Sequence, residues 1–429
     1  MTPQNFEEKI VWYTLTGTYV WYLLGAQIVV VPAIAWFLSV YLFIKLWKQT
    51  EKTPEPEKIR IPFAVWIWIF SMFVMEIALI MGQLDFDLGM TKIINSTIFV
   101  FAKVTILLAL FPLIGCLNIR PQLIYRAACI VCLHSLIFMV FGYLAILLHF
   151  PGSLYYSPMK LIGRGGDIFY AVAFYGIDPD NGGVRLTLFA PWPPALGLVG
   201  NIYFFLAFHE SDRKWRWIGM IGALAMSIVP VSRLAYLCLP IVFLLTFVLT
   251  NFTRPIILFT AGLVSLLTGL LAPWLIELFQ TLKAAFRGAR ASSSEVRKNL
   301  QEIGLYRWQN EAIIWGHGDI EPGPKIVEHM PIGSHHTWVG LLFTKGLVGF
   351  FALAIPLLWS FIDLLIKAQN SKTARAGLGV VLVLFFFTFA EVIDGLTYIY
   401  WPGLLIMGLG FKEVVSVTNS EATIEKSRI

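Results

Sequence analysis

Long apolar runs alternate along this chain with shorter polar segments. Most of the runs reach about 18 residues or more, which is enough for a helix to cross the hydrocarbon core of a bilayer. The pattern predicts eleven spans, at about 18–46, 61–82, 96–118, 124–150, 188–209, 216–231, 234–251, 255–278, 337–366, 376–395 and 398–414. A split of the long first run gives twelve. The expected fold class is therefore all-α, a polytopic transmembrane helical bundle.

Two long polar segments divide the predicted spans into groups. Residues 1–150 hold the N-terminal spans, 151–187 form a Gly-rich loop, 188–278 hold further spans, 279–336 form a large loop, and 337–429 hold the last spans and a tail. Within the large loop, the segment Ser292-Ser293-Ser294-Glu295 is typical of a helix N-terminus. The residues after it predict a helix to about Ile314, so the loop is expected to be partly helical.

Basic residues mark one side of the predicted bundle. They follow span one at Lys45 and Lys48, span five at Arg213 and Lys214, and span nine at Lys367. Because cytoplasmic loops carry an excess of Lys and Arg, these ends are expected to face the cytoplasm. The N-terminus and both long polar loops are then expected on the outer face.

The composition agrees with a membrane protein. Hydrophobic residues make up 58% of the 429 and charged residues only 14%, whereas soluble domains are nearer one half and one quarter. The net charge of +6 is spread over short loops. This distribution is typical of basic residues that set the orientation of membrane spans, and it argues against nucleic-acid binding. The four cysteines all lie in apolar surroundings, and we expect them to be buried hydrophobic side chains.

Three polar positions, far apart in the sequence, are predicted to reach the same outer face. Arg185 precedes span five, Arg233 lies in the turn between spans six and seven, and the pair His335 and His336 precedes span nine. Arginine grips phosphate oxygens in pairs, and a neutral histidine can take a proton from a hydroxyl. Each residue alone also fits an interfacial anchor or a structural helix start. Together, the two arginines and the histidine pair indicate an enzyme that transfers a group away from a diphosphate leaving group.

These motifs resemble the O-antigen ligase and Wzy-type O-antigen polymerase superfamily over about 180–365. Arg185 is followed by a Pro-rich helix start, and Ser232-Arg233-Leu234-Ala235 is similar to the family's Ser-Arg-x-Ala. The third signature consists of Arg297, Ile314-Trp315-Gly316-His317-Gly318, Ser334-His335-His336-Thr337-Trp338 and Lys345-Gly346-Leu347-Val348-Gly349. His336 stands where the family usually has Asn. A one-residue slip in the alignment would transfer the functional role from His335 to His336.

The resemblance implies a metal-independent glycosyltransferase in the bacterial inner membrane, with its site facing the periplasm. The implied donor is a glycan on undecaprenyl diphosphate, and the acceptor is a sugar hydroxyl of another lipid-linked glycan (polymerase) or of lipid A–core (ligase). Products would be O-antigen, capsule or exopolysaccharide, with inversion at the anomeric carbon. Arg185 and Arg233 would hold the diphosphate, and His335 would activate or position the acceptor. No cofactor or nucleic acid is implied, and membrane lipids are the surrounding partner.

Other residues leave alternatives open. Asp85-Phe86-Asp87 is a DxD motif that could bind a divalent cation, as in transferases that use lipid-monophosphate sugars. Ionisable residues within or near the apolar runs are what a transporter or flippase of lipid-linked glycan would need; they are Glu76, Lys103 and Glu391. Further candidates for the site are Arg297, His317 and Lys325 in the large loop, together with Asp394 and Tyr398 near the last span.

Overall fold

The structure is a computed structural model that describes residues 1–54, 58–163, 166–178, 182–252, 254–288 and 291–414. Helices dominate it, as the apolar pattern predicts. The α-helices are α1 Phe6–Thr16, α2 Thr18–Leu23, α3 Gln27–Lys48, α4 Phe63–Asp85, α5 Met90–Ser96, α6 Leu107–Ile114, α7 Pro121–Leu147, α8 Lys160–Gly163, α9 Pro193–Phe208, α10 Arg213–Ile228, α11 Arg233–Leu249, α12 Pro255–Leu270, α13 Ala272–Gly288, α14 Ala291–Glu311, α15 Thr337–Ala368, α16 Lys372–Phe387 and α17 Thr397–Lys412.

The remaining elements are short. A π-helix, Thr97–Thr105, joins α5 to α6 within one long apolar span, and 3₁₀ turns cover Asp167–Phe169, Lys325–Val327 and Asp394–Leu396. Four strands lie between α7 and α9: β1 Ser153–Tyr156, β2 Ala171–Ala173, β3 Tyr175–Ile177 and β4 Val184–Leu186. β1 pairs antiparallel with β2, and β3 with β4. The described part of the loop predicted at 151–187 thus contains two small antiparallel strand pairs together with α8 and a 3₁₀ turn.

Each predicted span corresponds to a helix or helix pair, but several are short. Five described helices are long and apolar enough to cross a bilayer, or six if the pair Pro255–Leu270 and Ala272–Leu278, bent by 78°, is one span. Helices α9, α10, α16 and α17 have 16 residues each, or about 24 Å at 1.5 Å per residue. That is less than the roughly 30 Å of a hydrocarbon core. Length and composition therefore support fewer full-length spans than the eleven or twelve predicted.

Helix α17 is the centre of the bundle. Every residue from Thr397 to Phe411 is buried, and the helix packs against α6, α9 and α16. Close approach is possible because glycines face the neighbouring backbones. A Cβ on Gly408 would strike the backbone of Pro112 in α6. In contrast, no residue of α12 is buried, which is the pattern of an apolar helix that contacts lipid.

The large polar loop predicted at 279–336 contains α14 and ends at the start of α15. The predicted helix after Ser292 is confirmed as α14, Ala291–Glu311, and it packs against α15. The chain then makes turns through Gly316 and Gly318, both with φ near 70°, before it returns to α15. Residues 415–429 of the predicted tail lie outside the described part of the chain.

Candidate functional site

Helix α15 is broken inside its apolar segment. Gly346 has φ 62° and ψ −160°, a conformation that is essentially restricted to glycine. A break of this kind leaves backbone groups on both half-helices without intrahelical partners. Unpaired backbone at membrane depth is costly unless other protein groups satisfy it, so the break requires a partner segment.

The partner is the turn at 312–318. The amide of His317 donates to the carbonyl of Phe343 at 2.8 Å, and the amide of Gly318 donates to that of Thr344 at 3.0 Å. In the other direction, the amides of Leu347 and Val348 donate to the carbonyls of Ile313 and Ile314, at 3.0 and 3.3 Å. The polar loop therefore inserts into the helix break and completes its hydrogen bonds.

Helix α4 holds the other side of the inserted turn. The side-chain amide of Gln83 donates to the carbonyl of Gly318 at 2.9 Å. A Cβ on Gly82 would lie 2.8 Å from the carbonyl oxygen of Gly316, which is too close for any larger residue. The turn is thus fixed between α4 and the broken helix.

A cavity of about 700 Å³ lies above this junction, within the size range of small-molecule sites. Its walls are the end of α4, α5, the π-helix, the first half of α15 and the turn at 392–395. The lining is mainly apolar, with Phe99, Val100, Ile332 and Leu341 among its residues. Such a surface suits a ligand with a large apolar part.

Two lysine–aspartate pairs supply the charges of the cavity lining. Lys345, immediately before the break, lies 3.4 Å from Asp394, and its side chain is only 7% exposed. Lys92 pairs with Asp319 across the opening between α5 and the polar loop. One oxygen of Asp394, Oδ1, has no hydrogen-bond partner among the described residues. In the sequence, Lys345 stands out only as a charge within an apolar run, and it is not among the predicted site residues.

His335 lies at the start of the broken helix, as predicted. Its backbone has φ 62°, an uncommon conformation for a residue other than glycine, and its neighbour Ser334 lines the cavity. Burial, reinforced by the positive charge of Arg297, lowers the pKa of His335 to about 4. The imidazole is therefore neutral near pH 7 and can accept a hydrogen bond.

His336 has a structural role at the same helix start. It is the N-cap of α15, and its Nδ1 accepts a hydrogen bond from the amide of Val339 at 3.4 Å. An N-cap side chain satisfies one of the amides left unpaired at a helix start, and Asn is among the best residues for this position. The Asn expected here from the resemblance and the His present can therefore serve the same purpose.

Glu391 connects the start of α15 to the start of α9. Its side chain accepts a hydrogen bond from the indole N–H of Trp192 at 2.9 Å, and its carbonyl accepts one from the hydroxyl of Thr337. Trp192 and Thr337 both line the cavity. The sequence predicts Glu391 only as an intramembrane charge.

The two predicted diphosphate ligands lie outside the cavity lining in the described chain. Arg185 in β4 is 3.0 Å from Asp178, and both side chains are largely buried. Arg233 is the first residue of α11, where the neighbouring Ser232 and Ala235 pack against Gly197 of α9. That contact lies near the end of α9 that carries Trp192, so Arg233 is at the same end of the bundle as the cavity. Contact of either arginine with a diphosphate stays a prediction.

The secondary candidates occupy different environments. Arg297 lies in α14, close enough to His335 for its positive charge to help lower the pKa of that imidazole. His317 is buried, with Nδ1 3.0 Å from the carbonyl of Phe343 and Nε2 2.8 Å from Glu311. Both of its ring nitrogens are thus engaged within the protein. Lys325 lies on an exposed 3₁₀ turn of the large loop.

The DxD motif lies at the exposed end of α4. Asp85 is the last residue of the helix, and Asp87 has φ 48° in the following turn. Among the described residues, no group of three or more His, Cys, Asp and Glu side chains converges as metal ligands would. All four cysteines are buried, as predicted, and none of them is paired.

Comparison of the chain with protein-family models and with curated proteins gives no match in either case.

Proposed function

We propose that this protein is a membrane-embedded glycosyltransferase that acts on a glycan linked to undecaprenyl diphosphate. The observation that supports the proposal is the cavity at the start of the broken helix α15. It combines a mainly apolar lining with a buried ion pair of Lys345 and Asp394 and with a neutral histidine, His335, next to one lining residue. A lipid-linked sugar has the same division into a long apolar part and a charged, sugar-bearing head.

In the proposed reaction, a sugar hydroxyl attacks the anomeric carbon of the donor. The new carbon–oxygen bond forms as the bond to the diphosphate breaks, undecaprenyl diphosphate leaves, and the configuration at carbon inverts. His335, with a pKa near 4, is a weak base at neutral pH. Its expected part is therefore to orient the hydroxyl by accepting its hydrogen bond. It takes the proton only as the new carbon–oxygen bond forms, when the attacking oxygen becomes strongly acidic, and then releases the proton to solvent. Arg233 and Arg185 are proposed to stabilise charge on the diphosphate.

The cellular setting belongs to the same proposal. The site is placed on the periplasmic side of a bacterial inner membrane, because the basic loops are expected in the cytoplasm. The acceptor is either a second lipid-linked glycan or lipid A–core, so the protein is a polymerase or a ligase of O-antigen, capsule or exopolysaccharide. We favour the polymerase slightly, although the residues of the site serve both reactions.

Product analysis with purified full-length protein tests the proposal. Lipid-linked repeat units are incubated in chelator with wild type, His335→Ala and Arg233→Ala, and with His149→Ala as a matched control on an exposed histidine that also has positive φ. Longer chains from wild type and His149→Ala, with little product from the other two, support a polymerase. Product only after lipid A–core is added identifies a ligase. Unchanged donor with both acceptors, or full activity of His335→Ala, rejects the proposal.

A transporter of lipid-linked glycan is the second candidate, and the helix break is the observation that favours it. Broken helices and buried charges near the middle of a membrane are typical of secondary transporters, and α15 has both at Lys345 and Gly346. Reconstitution in vesicles separates the two functions. A transporter moves intact lipid-linked glycan across the bilayer and responds to a proton gradient, whereas a transferase releases undecaprenyl diphosphate without one.

A further inference from the structure

One wall of the cavity changes from polar to apolar along a single membrane span. Residues Met90–Ile114 are long and apolar enough to cross a bilayer, and they comprise α5, the π-helix and α6. From its N-terminal end, this span lines the cavity first with polar residues and then with apolar ones. The polar ones are Lys92, Asn95 and Ser96, and the apolar ones are Phe99 and Val100.

The deep ends of two facing walls differ in character. Val100 lies roughly 10 Å further along its span than Lys92, at about 1.5 Å per residue. On the wall formed by α15, the last lining residue along the helix is instead Lys345, which is paired with Asp394. The cavity therefore has a charged wall at α15 and an apolar wall at the π-helix.

The apolar wall reaches the outer surface of the bundle at Val100. Leu79 and Leu341 line other parts of the cavity and are 6% and 3% exposed, whereas Val100 is 43% exposed. Ile98, two residues earlier and not among the described lining residues, is 52% exposed. Since both belong to an apolar membrane span, the surface beside Val100 is expected to contact lipid. We call the cavity edge at Phe99 and Val100 the side opening.

The π-helix that carries the side opening is fixed by side chains from other helices. The indole N–H of Trp36 in α3 donates to the carbonyl of Ala102 at 2.7 Å. The hydroxyl of Thr397 in α17 donates to the carbonyl of Val104 at 3.0 Å. Side chains that satisfy the backbone of an irregular segment allow it to persist at membrane depth, and π-helical turns are frequent at functional sites. The side opening is therefore a fixed part of the fold.

A lipid-linked ligand in this cavity requires an exit for its chain. An undecaprenyl chain is several times longer than the cavity is deep, so most of it must stay in the bilayer while the headgroup is bound. Exposure of an apolar chain to water is unfavourable, which argues against an exit past the ion pair of Lys92 and Asp319. The side opening offers an exit at membrane depth.

We propose that the side opening admits the isoprenoid chain of the lipid-linked ligand directly from the bilayer. The first isoprene units pack against Leu79, Phe99 and Val100, and the phosphate-bearing head lies toward the ion pairs of the lining. This inference rests on the lipid-linked ligand of the proposed function but not on glycosyl transfer. It applies equally to a transporter of the same ligand.

Binding of prenyl phosphates of two lengths to the purified full-length chain tests the inference. The probes are geranyl phosphate and farnesyl phosphate, which differ by one isoprene unit, followed by native mass spectrometry in neutral detergent. Val100→Trp fills the side opening. Ile98→Trp is the matched control, because it adds the same ring at an exposed position outside the described lining. The thermal midpoint of each variant shows whether it is folded.

Wild type should bind farnesyl phosphate about tenfold more tightly than geranyl phosphate, because the five added carbon atoms gain contacts. Val100→Trp should bind the two probes equally, and Ile98→Trp should keep the preference of wild type. A folded Val100→Trp that retains the full preference, or a wild type without one, overturns the inference.

A photoreactive farnesyl phosphate gives a second readout on the wild-type chain. Trypsin cleaves after Lys92 and Lys103, so residues 93–103 form one peptide that contains the side opening. Label on this peptide that farnesyl phosphate displaces, and dioctanoyl phosphatidylglycerol does not, supports entry of an isoprenoid. Label confined to other peptides, or displaced equally by both lipids, overturns it. Glycan transfer without label at 93–103 rejects only the side opening, whereas label there without any transfer supports the side opening and rejects only the glycosyltransferase.

Discussion

Replacement of Gly346 by alanine is the sharpest test of the broken helix. The residue has φ 62° and ψ −160°, and a Cβ there would strike the backbone of Ile314 and Trp315 in the inserted turn. Because the obstacle is backbone and not the end of a flexible side chain, rotation of a side chain cannot relieve it. Gly346→Ala must therefore strain the break, displace the turn, or do both.

The expected loss of stability follows from three contributions. A backbone conformation that excludes side chains costs about 1–3 kcal/mol. Overpacking against fixed neighbours costs about 1–3 kcal/mol more. Alanine restricts the unfolded chain and returns about 0.4–1 kcal/mol. Gly346→Ala should therefore destabilise the protein by about 1–6 kcal/mol in free energy of unfolding.

The four buried cysteines provide a direct assay. Cys116, Cys129, Cys132 and Cys238 are unpaired and buried, so a thiol-reactive fluorophore reports their exposure when the bundle unfolds. The apparent midpoint depends on scan rate where unfolding is irreversible, so all variants are heated at one rate. Gly346→Ala should show a clearly lower midpoint than wild type.

Gly262→Ala in α12 is the matched control. No heavy atom of the described chain lies within 4 Å of a Cβ built at Gly262, so the substitution adds helix propensity without a clash and should stabilise by about 0.5–1 kcal/mol. Its midpoint should equal or exceed that of wild type. If Gly346→Ala is as stable as Gly262→Ala, α15 is not broken at Gly346 and the inserted turn is not where we describe it.

Three further predictions concern the start of α15 and its surroundings. His336→Asn should keep the N-cap and the thermal midpoint, whereas His336→Leu should lose about 1 kcal/mol; equal midpoints would exclude the cap. Lys345→Met should cost about 3–5 kcal/mol because it leaves Asp394 buried without its partner, and Lys345→Met with Asp394→Leu should recover much of that loss; a double variant no more stable than the single would argue against the pair. Glu391→Leu should lower the thermal midpoint more than Glu391→Gln, by about 1–3 kcal/mol in stability, because only Gln keeps an acceptor for the indole N–H of Trp192; equal midpoints would argue against this hydrogen bond.

The spans could be predicted because they depend on local sequence. Each apolar run from 18–46 to 398–414 corresponds to a helix or helix pair, and the start of α14 near Ser292 follows from its capping residues. Helix lengths could be predicted less accurately. Helix α9 begins only at Pro193, although the apolar run that contains it begins at about residue 188. Only the packed bundle shows which residues of an apolar run are helical.

The inserted turn could be predicted only in part. Gly316, Gly318 and Gly346 mark positions where the chain departs from regular structure, and all three have positive φ. Their pairing across about 30 residues depends on the position of α4 behind them, which no local pattern contains. The ion pair of Lys345 and Asp394 could not be predicted for the same reason, because the two residues come from different helices.

The two adjacent histidines show how the structure narrows a choice that the sequence leaves open. A one-residue slip exchanges the roles of His335 and His336, and both residue types suit proton chemistry. The helix start separates them, because the Nδ1 of His336 is occupied by the amide of Val339, whereas His335 occupies the left-handed turn before the cap. A side chain that caps its own helix cannot reorient toward a substrate without unpairing that amide. His335 has a neutral ring near the charge of Arg297, and its neighbour Ser334 lines the cavity. His335 is therefore the better candidate to contact an acceptor hydroxyl.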